Sequence, residues 1–181
     1  MISMNQKGQE FSVFKLLIAA IVAVAILVVL LSIIKPPIPG QDPSQKIIEN
    51  LKSIIDSPGT PKKIDSVKFQ TDTTIVSKTL AEATDTLGAS QVCLVVGETA
   101  TNKERFDVVT KGKVIRYSGN LEQSEGILLL CSRANELNED LEDLDIDSVL
   151  DTSECSSEFI NIIDRGTSER VCIIGIVAES V

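Results

Sequence analysis

From Leu16 to Leu31 every residue is apolar, and after Ser32 the pattern resumes at Ile33 and Ile34. The stretch holds no charge, no proline and no glycine. A globular helix of this length would keep a polar side for water. At about 1.5 Å per residue, Leu16 to Ile34 matches a bilayer hydrocarbon core of roughly 30 Å. The pattern therefore predicts one long hydrophobic helix through Leu16 to Ile34. Ala19 and Ala23 place small residues four apart, which allows a second helix to approach closely. A cleavable secretory signal has a shorter apolar core and small residues at its far end. This run is longer and ends in Ile33-Ile34-Lys35-Pro36-Pro37. The proline pair stops a helix, so residues 35–42 read as a proline-rich linker before a domain over 43–181.

Charge and composition narrow what that domain can do. The chain carries 26 acidic against 17 basic residues, a net charge of -9. Nucleic-acid binding needs a basic surface that displaces counterions from phosphates, and none is visible, so no nucleic-acid partner is expected. Histidine is absent, which removes the commonest general base at neutral pH and the commonest transition-metal ligand. No phosphate-binding loop, dinucleotide fingerprint, nucleophile elbow or His-Glu-x-x-His motif occurs. The expectation is a protein that is not an enzyme and uses no cofactor.

The residues ahead of the apolar run are more specific. Met1-Ile2-Ser3-Met4-Asn5-Gln6-Lys7-Gly8-Gln9-Glu10-Phe11 is a short polar leader ending in Lys-Gly, followed by Gln-Glu and then the aliphatic stretch. This resembles the class III signal peptide of archaeal type IV pilin-like proteins, a family that includes pilins and archaellins. The resemblance covers about the first 34 residues. It implies that residues 1–8 are a leader removed by a prepilin peptidase after Gly8. Lys7 would precede the cut, Gln9 would become the first residue, and the hydrophobic helix would run over residues 9–34. It also implies a structural role, with the retained apolar segment packing against other copies or related pilins in a filament core. Before assembly the chain would be a single-pass membrane protein in the lipid bilayer, with its C-terminal domain extracellular. Many bacterial members carry a glutamate at the fifth mature position; here that position is Val13, and Glu10 stands at the second. The alternative is an uncleaved single-pass anchor presenting an extracellular binding or sensory domain. A third reading is a membrane-bound enzyme working with carboxylates. Lysines at 7 and 15 on one side and at 35, 46 and 52 on the other leave the orientation undecided by charge.

Four cysteines, Cys93, Cys131, Cys155 and Cys172, include no Cys-x-x-Cys pair. An even number in an exported chain favours disulfides, and four allow three pairings. Cys93 and Cys172 sit in apolar, strand-like runs, whereas Cys131 and Cys155 bracket an acidic segment. Pairing like with like gives Cys93–Cys172 and Cys131–Cys155.

Along the domain, Asp42 as cap, Pro43 at the first helical position and Gln45 in a capping box open a helix. Ile47, Ile48, Leu51, Ile54 and Ile55 form its apolar stripe. Strands are expected over 63–69, 92–96, 127–131 and 171–177. Lys111-Gly112 suggests a hairpin between 106–109 and 114–117. Helices are expected over 75–87, capped by Gly88, and over 156–165, capped by Gly166. The sum is an α+β domain, an antiparallel or mixed sheet with helices on one side. Asp143, Asp145, Asp147, Asp151 and Glu154 fall at the spacing of a calcium-binding loop. Ser148 stands where that loop needs glycine, so no metal site is assigned and a solvated acidic connection is the plainer expectation. No Asn-x-Ser/Thr sequon occurs.

Overall fold

The computed structural model describes residues 15–24, 26, 42–144, 146 and 149–179. The chain divides between Ile38 and Pro39 into two units. In the first, residues 15–24 form a helix, α1. This corrects the long hydrophobic helix expected over 9–34. At 1.5 Å per residue α1 is about 15 Å long, and among the described residues no helix is long and apolar enough to cross a membrane. A uniformly apolar run has no periodicity and no caps from which helix ends can be read. Helix length in folded proteins is set mainly by tertiary packing, and here Leu16, Ile21 and Val24 are 69%, 60% and 59% exposed.

The second unit opens with α2, Pro43–Ile54. Asp42 accepts the Ser44 N–H at 2.8 Å, and Ile47, Leu51, Ile54 and Ile55 are buried. Gln45 does not close a capping box; its side chain reaches Glu49 instead. A four-stranded sheet follows the order β1 (Lys62–Phe69), β6 (Gln123–Arg133), β7 (Arg170–Val177) and β3 (Val92–Val96). The β1–β6 and β6–β7 pairs are antiparallel and β3–β7 is parallel, so the sheet is mixed. A smaller antiparallel sheet orders β2 (Thr74–Val76), β5 (Val114–Tyr117) and β4 (Phe106–Val109).

The larger sheet is covered on both faces. Val92, Leu94 and Val96 of β3 share one core with Ile174, Ile176, α2 and the small sheet. Cys93 and Val95 share the other with Ile173 of β7 and with α4 (Leu137–Asp143) and α5 (Ser157–Asp164). Helices therefore lie on both sides of the sheet, not on one. Double burial is also why β3 and β7 are continuous apolar runs without alternation.

The expected helix over 75–87 divides into β2 and the shorter α3, Ser77–Glu82. Thr74, Ile75 and Val76 are β-branched and pair with Arg116, Ile115 and Val114, and that pairing overrides the weak helical pattern. Gly88 is extended (φ -83°) and opens a 3₁₀ turn rather than closing a helix. The expected strand over 127–131 is longer, since β6 takes in the polar Gln123 and Glu125. Helix α5 matches its expectation, with Ser156 accepting the Phe159 N–H and Gly166 at φ +58°.

All four cysteines form disulfides, but as Cys93–Cys155 and Cys131–Cys172. This corrects the Cys93–Cys172 and Cys131–Cys155 pairing. In the β3–β7 register Cys93 lies beside Ile173 and Cys172 beside Val92. Successive side chains in a strand point to opposite faces, so Cys93 and Cys172 face different cores. Cys131 lies directly opposite Cys172 across β6–β7 and shares its face. Cys93 is left to meet Cys155 on the second face.

Candidate functional site

The β4–β5 hairpin turns through Thr110, Lys111 and Gly112, all at positive φ. Leu94 of β3 donates its N–H to Gly112 O at 2.8 Å, which draws the small sheet toward the β3 edge. A Cβ on Gly112 would stand 2.8 Å from Cys93 Sγ, so only glycine fits between the turn and the disulfide. Residues of β3, β4, the 97–105 loop and the 152–154 turn border an open cleft of about 560 Å³. Its floor includes Val96, Phe106 and Val108, and its rim includes Lys103, Asp107 and Glu154.

Lys103 donates to Glu98 Oε1 at 2.6 Å. That hydrogen bond raises the Lys103 pKa above its ordinary value, against partial desolvation, with further attraction from Glu154 and Asp151. Asp151 caps the 3₁₀ turn Thr152–Glu154 by accepting the Ser153 N–H at 2.9 Å. Its carboxyl is held below the usual carboxylate range by the hydrogen bonds from Ser153. Glu154 Oε2 is buried without a hydrogen-bond partner among the described residues. The rim thus gathers several carboxylates around one ammonium over an apolar floor.

Behind the rim, the 97–105 loop is held by polar contacts around the buried Glu125. Glu125 is 0% exposed and shares a core face with Ile127 and Leu129. Its Oε2 accepts the Thr101 N–H at 3.3 Å. The Gln123 amide donates to Glu125 Oε1 and to Thr101 O, and its oxygen accepts from Asn102 Nδ2 at 3.4 Å. Tyr117 donates to Leu121 O at 2.6 Å. Burial raises the Glu125 pKa above its ordinary value, opposed by the hydrogen bonds from Gln123 and Thr101 and reinforced by Glu179. Sequence reasoning passes over Glu125 and Gln123. The one signal they carry is parity: both stand an even number of residues before Ile127, on its face of the strand.

The sequence-predicted sites fare differently. Lys7, Gly8 and Gln9 lie outside the described residues, as do Asp145 and Asp147. Of the other acidic positions, Asp143 ends α4, Asp151 is a cap and Glu154 faces the cleft. Ile146 and Leu150 between them are 7% and 1% exposed and pack into the second core. The connection is therefore seated on the domain by its aliphatic residues instead of being solvated throughout. Among the described residues, no three acidic or cysteine side chains are grouped to hold a metal ion. Comparisons with family models, curated proteins and solved structures find no match.

Proposed function

We propose that the chain is a structural subunit of an archaeal type IV pilus-like surface filament, made as a precursor and trimmed after Gly8. The observation that carries this reading is Lys7-Gly8-Gln9 standing just ahead of the apolar stretch from Leu16. A prepilin peptidase acts there, and Gln9 becomes the first residue. The apolar segment holds the precursor at the bilayer, with the C-terminal domain outside, and then packs against other copies.

Two features support the reading. The aliphatic side chains of α1 are exposed in the isolated chain, and covering them with lipid or with another copy gains about 25 cal/mol per Å² removed from water. The two disulfides suit a domain that matures in an oxidising compartment. The role is one of assembly and display, not of catalysis.

N-terminal sequencing and intact-mass analysis of protein from its native membrane test the proposal. The expected first residue is Gln9, and Gly8→Ile should block processing. Retention of Met1 in a host with an active prepilin peptidase would favour the uncleaved anchor instead.

A further inference from the structure

An edge strand offers a row of unpaired N–H and C=O groups to any passing chain, and the usual guards are bulges, lysines and shortness. The outer strands of the two sheets are β1 and β3, and β2 and β4. Strand β1 is guarded by a register shift between Ile64 and Val67 and by Lys62, Lys63 and Lys68. Strand β2 is only three residues long. Strands β3 and β4 carry no bulge and no lysine, and both border the cleft. We propose that the cleft accepts an extended, basic segment of a partner polypeptide, which pairs as an added strand with the outer edge of β4.

The hydrogen bonds say which backbone groups are open. In and beside β5, Tyr117 donates to Thr73 O and Lys113 O accepts from Ser77, both at 2.9 Å. The odd-numbered residues of β5 therefore bond toward β2, and Val114 and Arg116 bond toward β4. Their register partners are Val109 and Asp107, so Phe106 and Val108 turn their backbone groups outward. Lys103 O takes the Phe106 N–H. Phe106 O and both backbone groups of Val108 are left for a neighbouring strand. On β3 the same alternation applies: Leu94 donates outward to Gly112 O at 2.8 Å and Glu98 to Val149 O at 3.1 Å. Val96, between them, points its own N–H and C=O to that side, at the cleft floor.

The side chains define the occupant. The cleft is lined by three carboxylates, Glu104, Asp107 and Glu154, against the single ammonium of Lys103, which Glu98 already holds at 2.6 Å. Glu154 Oε2 is buried with no donor among the described residues. Leaving such an acceptor unmade is costly, and a lysine or arginine of the entering strand supplies the donor. Successive residues of a strand face opposite sides. The matching segment thus alternates apolar residues, set over Val96, Phe106 and Val108, with basic residues set against the carboxylates. Main-chain bonds give such a complex its affinity and the alternate side chains its specificity. The protein's own lysine-bearing strand, β1, is paired with β6 and bulged, and its net charge is -9, so the occupant is a different polypeptide. This reading does not depend on processing after Gly8.

The test uses the full chain in detergent micelles with two probe peptides, acetyl-Val-Lys-Val-Lys-Val-amide and acetyl-Val-Glu-Val-Glu-Val-amide. Hydrogen exchange read by NMR should show the Val108 amide exchanging faster than the inward-bonded Asp107 amide in the free protein. Saturating lysine peptide should slow Val108 by about tenfold or more and leave Asp107 and Val109 unchanged. The glutamate peptide should bind at least about tenfold more weakly. Asp107→Asn combined with Glu154→Gln should erase that preference. Val108→Pro, a residue tolerated where an edge-strand N–H faces outward, should abolish binding. The proposal is overturned if millimolar lysine peptide leaves Val108 exchange unchanged, if the two peptides bind equally, or if the preference survives in the double variant. If Val108→Pro does not fold, wild-type Val108 exchange decides alone.

Discussion

Replacing Cys93 and Cys155 together by alanine should cost the second unit about 4 kcal/mol and release one particular segment. The bridge closes a loop of 62 residues, for which the chain-entropy relation gives roughly 4.3 kcal/mol at 25 °C. For a unit of about 140 residues, unfolding entropy near 2.1 cal/mol/K per residue turns that loss into a melting decrease of about 15 °C. The Cys131–Cys172 bridge spans 41 residues, so the same relation gives about 3.9 kcal/mol. The two double variants should therefore melt at similar temperatures. Their local behaviour should differ. Cys155 pins the connection carrying Ile146 and Leu150 onto the second core, whereas β6 and β7 are also joined by strand pairing from Gly126 to Arg133, which should persist without their bridge. Limited proteolysis of the folded full chain, read by mass spectrometry, should cut the Cys93/Cys155 variant between about residues 144 and 156 much faster. The Cys131/Cys172 variant should resist there as the wild type does. Indistinguishable cleavage patterns would refute the idea that the first bridge clasps a loop, and a melting loss under about 3 °C would refute the entropic magnitude.

Two further substitutions probe the site's supports. Gly112→Ala should lower stability by at least the roughly 1–2 kcal/mol of a left-handed alanine, because its Cβ would also meet Cys93 Sγ at 2.8 Å; denaturant melts measure this, and an unchanged midpoint would contradict it. Asp151→Ala should cost about 1 kcal/mol at neutral pH through loss of the cap. Since the Asp151 carboxyl is held below its ordinary value, the wild-type advantage is present above about pH 3.9 and disappears as pH falls through the folded value. Paired thermal melts at pH 7 and pH 2 read that convergence.

What could be read without coordinates was local. Helix α2 was legible because Asp42-Pro43 marks its start and Ile47, Leu51 and Ile54 repeat at helical spacing. Strands β3 and β7 were legible as short unbroken apolar runs. Their facing was not, because a strand buried on both sides carries no polar alternation to mark which residues share a core. The cysteine pairing fell with it, since partners in a two-faced sheet must agree in register and in face. The extent of α1 was hidden for a related reason: sixteen consecutive apolar residues offer neither stripe nor cap. Glu125 lies outside the apolar run read as a strand over 127–131, and only the loop folding over it makes it an interior acid. The cleft joins Val96 to Glu154 and Lys103 across long stretches of chain, and no short motif records such a meeting.

The strand order β1-β6-β7-β3 has a consequence for how the domain can come into being. Synthesis lays down β1 and β3 first, yet these strands do not touch each other; each waits for a neighbour from the last third of the chain. The central pair, β6 and β7, is completed only when residue 177 has emerged. A nascent chain therefore leaves β1 unpaired until β6 is made and β3 unpaired until the final strand, β7, arrives. Closing such distant contacts requires the loop entropy to be overcome late, which slows folding. The domain should thus complete its larger sheet only at the end of its synthesis, when β7 slots between the β1–β6 pair and β3.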